Sequence, residues 1–143
     1  GCQTMPVYLR AFAALFLATL LAACSRTPDA GDARQALEAE LDNAHLSGLL
    51  AVTDVEKRNG YDDGDGRYTL EVDYQLKARD DLGGYTDKIK GNEDLSGMDR
   101  FAMIMTLSAL RMEHGNFKKG DTFQRQRVIT FRDSENGWMP IQE

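Results

Sequence analysis

The chain is poor in the residues that build reactive or metal sites: of its 143 residues two are Cys, two are His and one is Trp. It contains no H-E-x-x-H, G-x-S-x-G, G-x-G-x-x-G or Walker pattern, so the usual sequence signatures of zinc, serine-nucleophile and nucleotide chemistry are missing. Basic residues are also in deficit. Seventeen Lys and Arg against 23 Asp and Glu give a formal net charge of −6, which disfavours nucleic acid, because phosphate backbones select clustered cations. Nor does any apolar run reach the roughly 20 residues that cross a bilayer. The length supports one domain, since two separate cores would be too small to stabilise themselves. An apolar fraction of 42% with 28% charged residues is ordinary for a globular chain.

The longest apolar run that is present carries the clearest message. From Ala11 to Ala23 only Thr19 is polar, and Arg10 stands just before the run. A basic flank, a short apolar stretch and small residues at its end compose an export signal, with Met5 read as the initiator. The run closes Leu21-Ala22-Ala23-Cys24. This sequence resembles the lipobox of bacterial lipoproteins, in which a Leu and two small residues precede the Cys that takes a diacylglycerol. The resemblance implies removal of residues 1–23, a lipid on Cys24 and, with Ser25 rather than Asp next in line, transfer to the periplasmic face of the outer membrane. Cys2 and Arg10 leave with the leader. The remaining chain then has no second thiol for a disulfide, a CxxC pair or a cysteine-ligated metal. Residues 24–31, holding Pro28 and Gly31, read as a lipidated tether ahead of a single domain over 32–143.

Within that domain the pattern predicts helix, hairpin, helix, hairpin. Asp32 reads as the N-cap of a helix reaching Ala44, with Ala33, Leu37, Leu41 and Ala44 in one stripe. Leu49–Arg58 reads as a strand, and Asn59–Gly66 as a turn region rich in Asn, Asp and Gly. Over Arg67–Arg79, Tyr68, Leu70, Val72, Tyr74, Leu76 and Ala78 alternate with polar residues, the period of a sheet with one wet face. Asp80–Leu95 shows no period and reads as a loop with a short strand near Ile89. A second helix, Met98–Met112, starts at Ser96 and Asp99 and stops at Gly115. It is apolar nearly all round and expected to lie buried across the sheet, with Met98, Met103, Met105, Met112, Phe101 and Ile104 as core filler. Strands over Thr122–Arg132 and Trp138–Ile141 complete an α+β fold with a four-stranded, mostly antiparallel sheet packed by one or two helices. In element order alone this resembles the cystatin-like and nuclear-transport-factor-like sheets.

Candidate sites follow from charge more than from motif. Asp62, Asp63 and Asp65 invite a calcium reading. In EF-hand register, however, Tyr61 and Val72 would occupy the first and last ligand positions, so a solvated hairpin tip is the better assignment. His45 and His114 sit at helix C-termini, where an imidazolium would meet the negative end of the dipole. No metal site, cofactor or catalytic group is assigned, and enzymatic activity is not expected. Residues 24–99 hold 9 basic and 18 acidic groups, whereas 100–143 hold 7 and 5. The basic ones gather at Lys118, Lys119, Arg125, Arg127 and Arg132, positioned to pair with Glu71 and Asp73. The acidic loops at Asp62, Asp63, Asp65, Asp80 and Asp81 are the expected surface for a cationic protein partner. The reading is a lipid-anchored binding protein of the outer membrane, an inhibitor or immunity protein against a cell-wall-directed effector. Its alternatives are an accessory lipoprotein of a secretion or pilus machine, and a small-ligand carrier lined by Tyr68, Tyr74 and Trp138.

Overall fold

The computed structural model describes residues 26–141; the leader and Cys24 lie outside them. In chain order the elements are α1 (Ala30–Asn43), β1 (Leu50–Gly64), β2 (Arg67–Ala78), α2 (Leu82–Lys90), α3 (Gly97–His114), β3 (Thr122–Ser134) and β4 (Gly137–Pro140). The strands form one antiparallel sheet in the order β1-β2-β3-β4, so the fold is α+β with a four-stranded sheet. Because β3 pairs directly with β2, the two helices between them form an excursion that leaves and rejoins the sheet at one end.

Strand β2 organises the rest. Leu70, Val72, Tyr74, Leu76 and Ala78 are buried on one face, and α1 packs against that face through Ala33, Ala36 and Leu37. The opposite face, carrying Glu71, Asp73, Gln75 and Lys77, has no helix over it among the described residues. Phe131 on β3, paired with Tyr68 and Pro140, is completely buried.

Several elements depart from the sequence reading. The broad turn over Asn59–Gly66 is instead strand up to Gly64, closed by a two-residue loop, Asp65-Gly66, with φ of 55° and 73°. Asp-Gly tolerates positive φ at both positions, the requirement of a hairpin turn matched to strand twist. Asn59–Gly64 is thereby free to pair with the start of β2. The supposed loop after Asp80 contains α2. Gly83 and Gly84 obscure its stripe, but Leu82 and Ile89 are buried on one face.

The tether is corrected as well. Helix α1 begins at Ala30 and is capped by Asp29, which forms a reciprocal capping box with Asp32. Upstream, Pro28 is fully buried, Arg26 Nη1 bonds Asp32 Oδ2 at 2.8 Å, and Trp138 Nε1 donates to the Arg26 carbonyl. Arg26–Gly31 are therefore part of the folded unit rather than a free spacer.

Helix α3 departs furthest. Its ends are as expected, Ser96 Oγ accepting from the Asp99 N–H and Gly115 taking φ 74°. Its burial is not. Met103 and Leu107 are buried, whereas Met98 is 80% exposed, Phe101 63%, Met105 55% and Met112 90%. At 3.6 residues per turn Met105 and Leu107 stand about 200° apart, so one apolar stripe enters the core and another faces outward. The expected core role holds for Met103 alone among the four methionines.

Candidate functional site

The five acidic residues read as a partner surface do not form one. Asp62, Asp63 and Asp65 sit at the β1–β2 tip, next to the start of β2; Asp80 and Asp81 follow its end. Twelve strand residues separate them, about 37 Å at 3.4 Å per step. Asp80 and Asp81 are also spent on the fold. Asp80 Oδ2 accepts from Lys88 Nζ at 2.8 Å and Asp81 Oδ1 from the Lys119 N–H, which ties α2 and the segment before β3 to the end of β2. At the tip, Asp62 accepts from the Gly64 N–H and Asp63 from Thr69 Oγ1, with both residues exposed. Among the described residues no three His, Cys, Asp or Glu side chains are placed to share a metal ion.

The basic strand is distributed differently from expectation too. Arg125 and Arg127 face the helices. Arg127 makes a two-pronged contact with Glu40 of α1, and Arg125 bonds Glu113 of α3. Their carboxylate partners lie on helices rather than at Glu71 and Asp73, because odd-numbered β3 residues share the core face. Asp73 instead pairs with Arg58. His114 is stacked on Phe123 with ring centroids 4.4 Å apart, its Nε2 3.2 Å from Arg125 Nη1. His45 stands just past α1 in the left-handed region, and its carbonyl accepts from Tyr85 Oη.

These ion pairs set an acid limit. The hydrogen bond from Arg26 holds Asp32 below its ordinary value of 3.8, outweighing partial burial. Lys88 does the same for Asp80, and Arg125 lowers Glu113 from 4.5. A carboxylate whose folded pKa is depressed contributes stability above its unfolded pKa and loses it as pH falls through the folded one. The melting temperature is therefore expected to hold steady down to about pH 5 and to decline below about pH 4. Replacing Asp32 by Asn should lower the neutral-pH value and flatten part of that decline, as thermal melts from pH 7 to pH 3 would show.

The concavities are shallow. One of them, about 560 Å³, is a groove between Ala36, Ala39 and Glu40 of α1 and Arg127–Thr130, with Pro140 and Ile141 at one end. It does not include the aromatic residues suggested for a carrier. Tyr74 is buried in the core, and Tyr68 lies 6.1 Å from the Trp138 ring, centroid to centroid. Thus the surface feature that stands out is the outer stripe of α3: Met98, Phe101, Met105 and Met112 at coiled-coil spacing, with Ala102 and Ala109 exposed among them. The apolar count of this helix was visible in the sequence; which of its stripes would remain uncovered was not.

No family model, curated protein or solved structure matches the chain. Among the described residues no helix is long and apolar enough to cross a membrane.

Proposed function

We propose that this chain is a lipoprotein of the outer membrane's periplasmic face that acts by binding another protein, and that α3 presents the contact surface. The exposed Met98–Phe101–Met105–Met112 stripe carries this reading. Four large apolar side chains leave roughly 500 Å² of contiguous apolar surface, near the upper range tolerated on a monomer without a partner. Spacing of three and four residues, with small alanines between, suits a helix of the partner packing alongside. Methionine adapts its shape to such a contact.

The position of α3 favours a protein over lipid as occupant. Arg26, two residues after the anchor, docks beside Trp138 and so beside the β3–β4 turn. The α2–α3 excursion joins the sheet at the other end, where Leu82 bonds the Phe117 carbonyl, about 37 Å along β2. The helix also lacks the cationic polar face of a lipid-surface helix: it holds two Arg against Asp99 and Glu113. The inhibitor reading, with a cationic cell-wall-active effector as partner, draws on the exposed carboxylates of Asp62, Asp63 and Asp65, which remain available at the hairpin tip.

Anchor and binding are tested separately. Mass spectrometry of the chain from its own envelope should find Cys24 N-terminal and diacylated, and Cys24→Ser should move the protein from the membrane fraction to the soluble one. An intact leader with a free Cys24 thiol would remove the anchor from this account.

A further inference from the structure

Helix α3 has two opposed apolar sides. Met103 and Leu107 are buried, and α2 is the element that packs most extensively on this helix. Met105 stands about 160° around the axis from each of those two, so the outward side is centred on it. Met98 and Met112 lie seven residues to either side of Met105, and Phe101, Ala102, Ser108 and Ala109 fill the turns between, all of them exposed. No charged side chain stands on that line. Glu113, the nearest in angle, is bound to Arg125, and Arg100 donates to the Asn92 and Leu95 carbonyls on the other side. Asp99 and Arg111 are turned about 120° from Met105.

The outward side matches its own reverse. Two α3 helices laid antiparallel about Met105 bring Met98 of each over Met112 of the other and set Met105 against Met105. Each large side chain then enters a hole made by four residues of the facing helix. For Phe101 that hole is Met105, Ser108, Ala109 and Met112 of the other copy. Two of these four are small, which leaves room for the ring. The parallel alternative sets Phe101 on Phe101 and Ser108 on Ser108, an overfilled layer followed by an empty one, and close-packed contacts tolerate neither. Antiparallel packing also places the N-terminus of each helix beside the C-terminus of the other, where the dipoles attract.

We propose that the outward side of α3 is covered by α3 of a second copy of this chain, packed antiparallel about a two-fold axis at Met105. The proposal rests on the reading of α3 as a contact surface and names its occupant. The roughly 500 Å² that the stripe leaves on each copy amounts to about 1,000 Å² in the pair, the lower bound for a specific interface. Such a pair is reversible in dilute solution, and an anchor at Cys24 that holds copies on one membrane raises their effective concentration. An uncharged centre offers no ion pair that would select a different partner. Asp62, Asp63 and Asp65 lie at the far end of β2 from this helix, so each copy of the pair keeps its hairpin tip free for a cationic effector.

The test is disulfide trapping of cysteine variants of the full chain in its own envelope, with copper–phenanthroline as oxidant and non-reducing gels as readout. The unaltered chain, whose Cys24 the lipid would block, is the control and should give no dimer. Met98, Met105 and Met112 all face water, so Cys at these positions leaves the fold intact. Met105→Cys should link to itself and give a band at twice the monomer mass, identified as two copies by mass spectrometry. Met98→Cys alone should not, because the two positions stand about 21 Å apart along antiparallel helices, but co-expressed with Met112→Cys it should. Ala109→Trp fills the recess for Phe101 and should cut the Met105→Cys dimer at least about tenfold, although it enlarges the apolar face. The proposal is overturned if Met105→Cys gives no dimer, if Met98→Cys links to itself as readily as to Met112→Cys, or if Ala109→Trp strengthens the cross-link. Absence of the dimer beside a photoadduct from position 105 to a different protein would remove the second copy and leave α3 as a contact surface. Absence of both would remove both.

Discussion

Replacing Phe131 by Ala is expected to destabilise the domain by about 3–5 kcal/mol, the range for truncating a buried aromatic side chain. Phe131 is 0% exposed and sits where three strands meet, opposite Tyr68 on β2 and Pro140 on β4. Its face also holds Ile129 and the buried residues of β2, beneath α1. The loss has two parts, the transfer of the ring out of water and the cavity left when rigid sheet neighbours cannot close in. A domain of this size has about 5–15 kcal/mol in total, so the variant should lose about a fifth or more of its stability. Urea denaturation would show the midpoint falling with little change in slope. Val128→Ala on the same strand is the control: Val128 faces water, and its truncation should cost no more than about 0.5 kcal/mol.

The second large effect is on binding rather than folding. Phe101→Glu combined with Met105→Glu should abolish partner association and leave the melting temperature within a few degrees of the parent. Both side chains are mostly exposed, and the fully buried side of α3 is made by Met103 and Leu107. Glutamate is a sound helix former, and position 101 lies close enough to the N-terminus of α3 for its charge to be tolerated there. At an interface two carboxylates facing an apolar partner helix would be buried without counter-ions. Truncation at an interface centre alone costs about 2–4 kcal/mol, roughly 30- to 1,000-fold in affinity. A pair of substitutions on the wet face of the sheet, Gln75→Glu and Lys77→Glu, should leave association unchanged. Loss of the partner with both pairs would point to net charge rather than to α3.

Much of the fold was legible in the sequence. The alternation from Tyr68 to Ala78 marked the central strand and which of its faces would be buried. Ser96, Asp99 and Gly115 marked the two ends of α3, because capping residues act locally and need no knowledge of the rest of the chain. Other signals misled for physical reasons. Pro28 and Gly31 are linker residues by composition, yet Pro28 is buried and the Arg26–Asp32 pair holds the segment down. Helix α2 was hidden because Gly83 and Gly84 dilute a stripe that only two buried side chains, Leu82 and Ile89, complete.

The candidate site was the least legible part. Asp62 and Asp80 are neighbours in the count of charges but mark opposite ends of one strand, a separation that composition cannot express. Periodicity showed that α3 is apolar on more than one side. Whether the second side meets the core or water depends on how α2 and the sheet end hold the helix, which is tertiary information.

The central claim is that α3 meets a protein through its outward stripe, and site-specific photocrosslinking in the native envelope tests it most directly. A benzophenone side chain at position 105 should yield one discrete protein adduct, and the same group at position 77, on the open sheet face, should yield none. Adducts from position 105 to lipid alone, or equal labelling from both positions, would contradict the account.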